Sequence, residues 1–347
     1  MNTGDASAIG PKFVEVGGVA HLQLTMAIND YDHLRDLAAG VVKADGIILT
    51  PLTLAVEEIF SRFTYHLEWD VSEMSFAKYV SLTAAGDAPM VAIPVFPSRV
   101  FRHSAFYVRK DSDIDKPQQI EGKTVGIPEW AQTAGVYVRG MLAELYDVDL
   151  RSIKWVQAGV NQAGRKEKVK LKLPDGIRYS SRQDASLNGM LVSGEIDVAI
   201  TARPPLAFGE SDSPIKRLYA DARSEERKFY LETGIFPIMH VIAIRRDVFE
   251  ANRWIAMNLY KAFEEAKDRS VERLADITAS CIPVPWVATL VEEATDDFGG
   301  KLWPYGMQDN LPTLEAFCRY AYDQGVAGRH LEVEELFPKE VHAGVRV

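Results

Sequence analysis

Residues 90–109 read MVAIPVFPSRVFRHSAFYVR. An apolar run with strand character, MVAIPV, leads into a loop carrying two arginines and a histidine, and a second strand-like run, SAFYVRK at 104–110, follows it. That second run starts a new series of elements instead of finishing the one before, and the fold depends on the restart.

Upstream, HLQLTMAI at 21–28 reads as a strand and HLRDLAAG as a helix ending on Gly40. GIILTPL at 46–52 is the next strand, and LAVEEIFSRFTY has apolar residues at helical spacing. WDVSEMSFAKYVSLTAAG at 69–86 predicts a strand end, a loop carrying Ser72 and Ser75, and a helix. Downstream the same β-α rhythm begins afresh. A strand at 124–127 is followed by the loop PEWAQTAG and a helix, and IKWVQAG is a further strand. GRKEKVKLKLPDGIRY predicts a hairpin or long loop, DASLNGMLVSGEIDVAITAR a helix, turn and strand, and IKRLYAD a short strand. GIFPIMHVIAIRRD then returns to strand character before a largely helical C-terminal third.

Two α/β modules joined by extended segments near 106–109 and 241–245 predict a two-lobed α/β fold with a hinge of two chain crossings. Residues 1–106 and 242–347 would form one lobe and 107–241 the other. In such folds ligands bind in the crevice at the carboxyl ends of the strands. The loops expected there are SEMS, FPSRVFRHS, PEWAQTAG, TARPP and the approach to His240.

Bulk properties agree with two lobes, because 347 residues exceed what one ordinary core serves. With 47% hydrophobic and 25% charged residues and no low-complexity tract, all but the ends should fold. The 39 basic and 49 acidic residues give a net charge of -10, which repels polyanions and excludes nucleic acid as the main partner. Cys281 and Cys318 stand apart and outside any CxxC pattern, so buried, inert thiols are expected. The N-terminal residues lack a basic segment followed by an apolar one, and no stretch approaches about 18 uninterrupted apolar residues. A cytoplasmic chain without a membrane partner is expected.

The candidate chemistry lies in the loops. Arg99 and Arg102 stand three apart, and guanidinium forks suit carboxylates; the plain alternative is surface charge. His103 titrates near neutrality and could move protons, although a lone histidine is more often structural. Thr133, at an expected helix N-terminus, faces an anion or merely caps the helix. Glu129 is an acid–base candidate or a first-turn carboxylate. Arg203 directly follows the strand DVAIT and should point into the cleft. His240, inside an apolar run, is either a hydrogen-bonded hinge residue or a cleft ligand. The chain has no GxGxxG opening a helix, no GxxxxGK[ST], no HExxH and no GxSxG, and its seven histidines show no metal-ligand spacing. No metal and no cofactor are expected. The aromatics Trp303, Tyr305 and Tyr320 offer either a face for a homo-oligomer or core packing.

The strings VEEIFSRF, WDVSEMS, PVFPSRVFRHSAFYV, GKTVGIPEWAQTAGVYVRGML, TARPP, TGIFPIMHVIAIRRDV, LYKAFEEAK and LWPYGM together resemble the 4,5-dihydroxyphthalate decarboxylase family, over residues 22–337. Agreement is weakest over 131–136 and 159–176. The resemblance implies a type II periplasmic-binding-protein-like fold used for catalysis. It places Arg99, Arg102, His103 and Ser104 on one family string, Glu129, Trp130 and Thr133 on a second, Arg203 on a third and His240 on a fourth.

It also implies cofactor-independent decarboxylation of a hydroxylated aromatic dicarboxylate. A hydroxyl para to each carboxylate lets the ring accept a proton at the carboxylate-bearing carbon, so protein groups need only position, donate and stabilise. Two of Arg99, Arg102 and Arg203 would hold the retained carboxylate. His103 or His240 would donate the proton, with Glu129 orienting it or taking a phenolic proton. Ser75, Ser104 or Thr133 would stabilise charge on oxygen. The competing reading is a non-catalytic solute-binding protein for an aromatic carboxylate, serving a transporter or sensor.

Overall fold

Residues 11–343 are described by the structure, a computed structural model. The ends expected to be disordered, 1–10 and 344–347, lie outside the described residues.

Among the described residues, twelve strands divide between two six-stranded sheets. The first sheet holds β1 (Lys12–Val16), β2 (Val19–Ile28), β3 (Ile47–Thr53), β4 (Val71–Ser75), β5 (Met90–Ile93) and, from far along the chain, β12 (His240–Arg245). The second holds β6 (Phe106–Arg109), β7 (Thr124–Ile127), β8 (Lys154–Gly159), β9 (Arg178–Ser186), β10 (Val198–Ile200) and β11 (Ile215–Arg217). In the first, β2 runs parallel to β3 and β4, while β12 lies antiparallel between β4 and β5. In the second, β10, β7, β8 and β9 run parallel, and β6 is antiparallel to both β10 and β11. The runs MVAI of β5 and VAI of β10 are wholly buried, as expected of strands covered on both faces.

The chain leaves the first sheet after β5 and returns to it before β12, and the two crossings lie side by side. Val100 N–H donates to Pro237 O at 3.2 Å, and Met239 N–H to Ser98 O at 2.8 Å. Arg99 braces the pair: its guanidinium donates to Pro304 O at 2.9 Å and Phe236 O at 2.7 Å and stacks 4.2 Å from the Phe236 ring. A second brace comes from the C-terminal helix Leu311–Asp323, packed on the helix Thr133–Leu145 that follows β7. There Arg139 lies 4.0 Å over Trp130 and donates to Gln324 Oε1 at 2.8 Å, and the Trp130 indole donates to Gln324 O at 2.8 Å.

Several expectations need correction. The segment carrying Ser72 is strand β4, not loop, because it pairs with both β2 and β12. KFVEV forms the unforeseen hairpin strand β1. The GRKEKVKLKLPDG stretch takes the long-loop alternative and not the hairpin, and the chain after it forms β9, parallel to β8. Cys281 is exposed on an irregular segment, whereas Cys318 is buried in the helix Leu311–Asp323. Tyr305 and Tyr320 are buried in the core.

Close approach of the two helices requires Gly140, where an added Cβ would overlap the Tyr320 ring. Gly140→Ala should lower unfolding stability by about 1–3 kcal/mol, the scale of overpacking. Urea denaturation of the two proteins checks it.

Candidate functional site

Strand ends from both sheets converge on one cavity of about 220 Å³. From the first sheet come the helix Val56–His66 after β3, Ser75 at the end of β4, and Met239 and His240 at the start of β12. From the second come Glu129 and Thr133 after β7, Val160 after β8, and Thr201 to Arg203 after β10. This is the crevice that α/β sheets open at their carboxyl edges.

Strand register explains one wall. His240 pairs directly with Ser75 across the antiparallel β4–β12 ladder, so both side chains project from the same face. Glu73, two residues before Ser75, shares that face and lies diagonal to His240. Its Oε1 is 2.5 Å from His240 Nδ1 and accepts from the Tyr31 hydroxyl at 2.6 Å; its Oε2 accepts from Asn29 N–H at 2.9 Å. Burial, then the Glu73 charge, raises the Tyr31 phenol above its ordinary pKa. Phe60 stands edge-on to His240, with ring centroids 4.8 Å apart.

The opposite wall is charged. Glu129 Oε1 accepts from Arg165 Nε at 2.7 Å, lies 2.6 Å from Arg165 Nη2 and lies 3.5 Å from Lys168 Nζ. Glu167 accepts from the N–H groups of Trp130 and Ala131, and burial, then Glu129, raises its carboxyl pKa. Thr133 Oγ1 accepts from Ala77 N–H at 3.1 Å and bonds Ser75 Oγ at 3.1 Å, linking the sheets across the cavity floor. Arg102 donates through Nε to Met239 Sδ at 3.2 Å, and among the described residues its two Nη groups have no partner. Burial pushes its pKa down to about 10. A half-buried guanidinium fork without a protein acceptor, facing a cavity, suits a carboxylate. Arg203 is at the rim, 3.4 Å from Glu57.

Of the residues singled out in sequence, the cavity brings together Ser75, Arg102, Glu129, Thr133, Arg203 and His240. The others lie elsewhere. Arg99 is the hinge brace described above, and burial pushes its pKa down to about 9. His103 is 1% exposed, packed edge-on against Tyr219 and Phe229, with neither ring nitrogen bonded. Ser104 N–H donates to Glu226 at 3.3 Å, and Trp130 is fully buried beneath Arg139. Glu129 meets Arg165 and Lys168, and no hydrogen bond joins it to His103 or His240 among the described residues. Sequence reasoning missed Tyr31, Glu73, Arg165 and Lys168; the cluster RKEK at 165–168 was the visible signal for the last two. Among the described residues no group of three or more His, Cys, Asp or Glu side chains could hold a metal ion, and no helix is long and apolar enough to cross a membrane.

Set beside curated proteins, the chain is 36% identical over 320 residues to the 4,5-dihydroxyphthalate decarboxylase of Comamonas testosteroni, spanning 92% of this chain and 97% of that protein. The chain belongs to the 4,5-dihydroxyphthalate decarboxylase family. A second protein of that name, from Pseudomonas putida, is 38% identical over 210 residues, or 60% of this chain and 81% of that protein. No family model matches. Membership in the decarboxylase family makes the chain a carboxy-lyase.

Among solved structures, the periplasmic aliphatic sulphonate binding protein of Escherichia coli superposes with a TM-score of 0.53 at 9% identity, covering 93% of this chain and 99% of that one. The alkanesulfonate-binding protein of Xanthomonas axonopodis gives 0.50 at 12% identity, covering 91% and 97%. These likenesses show the fold: this decarboxylase-family chain is built on the periplasmic-binding-protein architecture.

Burial pushes the pKa of both His33 and His103 from 6.5 down to about 4. Each is neutral in the folded protein while the unfolded chain binds its proton, so their native-state stability is complete above pH 6.5 and is lost as pH falls toward 4. At pH 5 each should cost about 2 kcal/mol. Urea unfolding at pH 7 and pH 5 should show a smaller acid loss for His103→Phe than for the native protein.

Proposed function

We propose that the chain decarboxylates 4,5-dihydroxyphthalate to protocatechuate, as a step of phthalate catabolism. The observation that supports this most is the pairing, in one cavity, of Arg102, whose two Nη groups have no partner among the described residues, with a histidine anchored through Nδ1, His240. The names of the two curated relatives supply the substrate class.

Arg102 holds the carboxylate that the product keeps, with Arg203 as the rim partner. His240 delivers a proton to the ring carbon bearing the other carboxylate. The para hydroxyl loses its proton to Glu129, whose Oε1 lies beside Arg165 and Lys168, and the ring becomes a dienone. The C–C bond then breaks, its electron pair restores the aromatic ring, carbon dioxide leaves, and the oxygen takes back a proton. The ring is its own electron sink, so this route calls on no cofactor. Thr133, Ser75 and the N-terminal N–H groups of the helix Thr133–Leu145 stabilise charge on the oxygens. Residues 1–106 with 242–347 act as one lobe and 107–241 as the other, and closure about the paired crossings excludes water.

Purified protein incubated with 4,5-dihydroxyphthalate should release carbon dioxide and protocatechuate in equal amounts. Tight binding without product would instead assign a solute receptor. His240→Ala should lower kcat by about 100-fold, the scale of a lost general acid. Arg102→Ala should chiefly raise KM, by about 10-fold or more, since a charge-assisted carboxylate bond contributes roughly 1.5–3 kcal/mol. Steady-state kinetics on both variants checks the division of labour.

A further inference from the structure

Glu73 is 0% exposed, yet the proton-transfer route above gives it no task. A buried carboxylate persists only where donors satisfy it. Its donors come from the exit of β2, through Asn29 N–H, and from Tyr31 at the entry of the next helix, leaving the rest of Oε1 for His240. Tyr31 adds a third side to this cluster, with its hydroxyl 3.3 Å from His240 Nδ1. With Nδ1 engaged by Glu73, Nε2 is the imidazole nitrogen left to serve the cavity that His240 lines. Phe60, edge-on at 4.8 Å, limits rotation of the ring from the other side.

We propose that Glu73, anchored by Tyr31, is a positioning residue for proton delivery by His240. It fixes the tautomer and the ring angle, so that Nε2 carries the proton toward the substrate carbon, and it balances the imidazolium charge before transfer. The step consumes one proton: Nε2–H breaks as the ring C–H forms, His240 is left neutral with its Nδ1–H on Glu73, and water recharges Nε2 after carbon dioxide departs. The proposal rests on His240 being the proton donor. Carboxylate–imidazole pairs have this effect when the carboxylate is buried and fixed, and loss of the charge leaves the wrong tautomer in place.

The test compares Glu73→Gln, Tyr31→Phe and His240→Ala with the native protein, using 4,5-dihydroxyphthalate as substrate. Glu73→Gln should lower kcat by about 100-fold with KM within about threefold of native, since binding falls to other residues. Tyr31→Phe should lower kcat by about 5 to 10-fold. Both should enlarge the solvent deuterium isotope effect on kcat, because proton delivery becomes the slow step; a purely structural role would not. Unchanged kcat in Glu73→Gln beside an inactive His240→Ala would overturn this proposal alone. Full activity in His240→Ala would overturn the donor assignment on which it stands. Should Glu73→Gln fail to fold, Tyr31→Phe decides, and native kcat and isotope effect in that variant would overturn the proposal.

Discussion

A carboxylate without exposed surface must find its donors inside the protein, and Glu73 finds them on three separate elements. Its oxygens meet the end of β2, the entry of the helix Asp32–Ala38 and the first residue of β12, so one side chain bonds groups from 42 to 167 residues away from it in sequence. The geometry is possible because β12, arriving late in the chain, inserts antiparallel beside β4 and places His240 opposite Ser75. Removing one partner from such a cluster would leave the others buried and unsatisfied. The position of His240 in the cavity depends on this contact.

The other decisive feature is how two nearby arginines are assigned opposite tasks. Arg99 is 4% exposed, with its Nη1 and Nη2 groups donating to the carbonyls of Pro304 and Phe236, and it holds the paired crossings between sheets. Arg102, three residues later, meets only the Met239 sulfur among the described residues and lines the cavity. The same loop therefore braces the paired crossings and lines the cavity. His103 follows immediately yet packs between Tyr219 and Phe229, since the turn His103–Ala105 carries its side chain away from the cavity.

Two modules, the restart near residue 104 and the loops at strand ends were legible because they rest on local periodicity and composition. The family resemblance was carried by long ordered strings and is shared with two curated relatives. Glu73 was not legible: within SEMS it looks like a loop acid, and only pairing with β12 buries it. The separation of Arg99 from Arg102 was equally hidden, because it depends on carbonyls at 236 and 304. His103 and His240 could not be ranked from sequence, as their surroundings come from distant aromatic residues and from Glu73. Cys281 was misread because its distance from Cys318 carries no information on burial, and it lies on an irregular segment that exposes it.

The most direct measurement is a crystal structure of the protein soaked with protocatechuate, the product carrying the retained carboxylate and both hydroxyls. The account predicts that carboxylate on the Arg102 guanidinium, and His240 Nε2 within about 3.5 Å of the ring carbon from which carbon dioxide departed. A ring bound with its carboxylate away from Arg102, or with His240 facing a hydroxyl in place of that carbon, would contradict it.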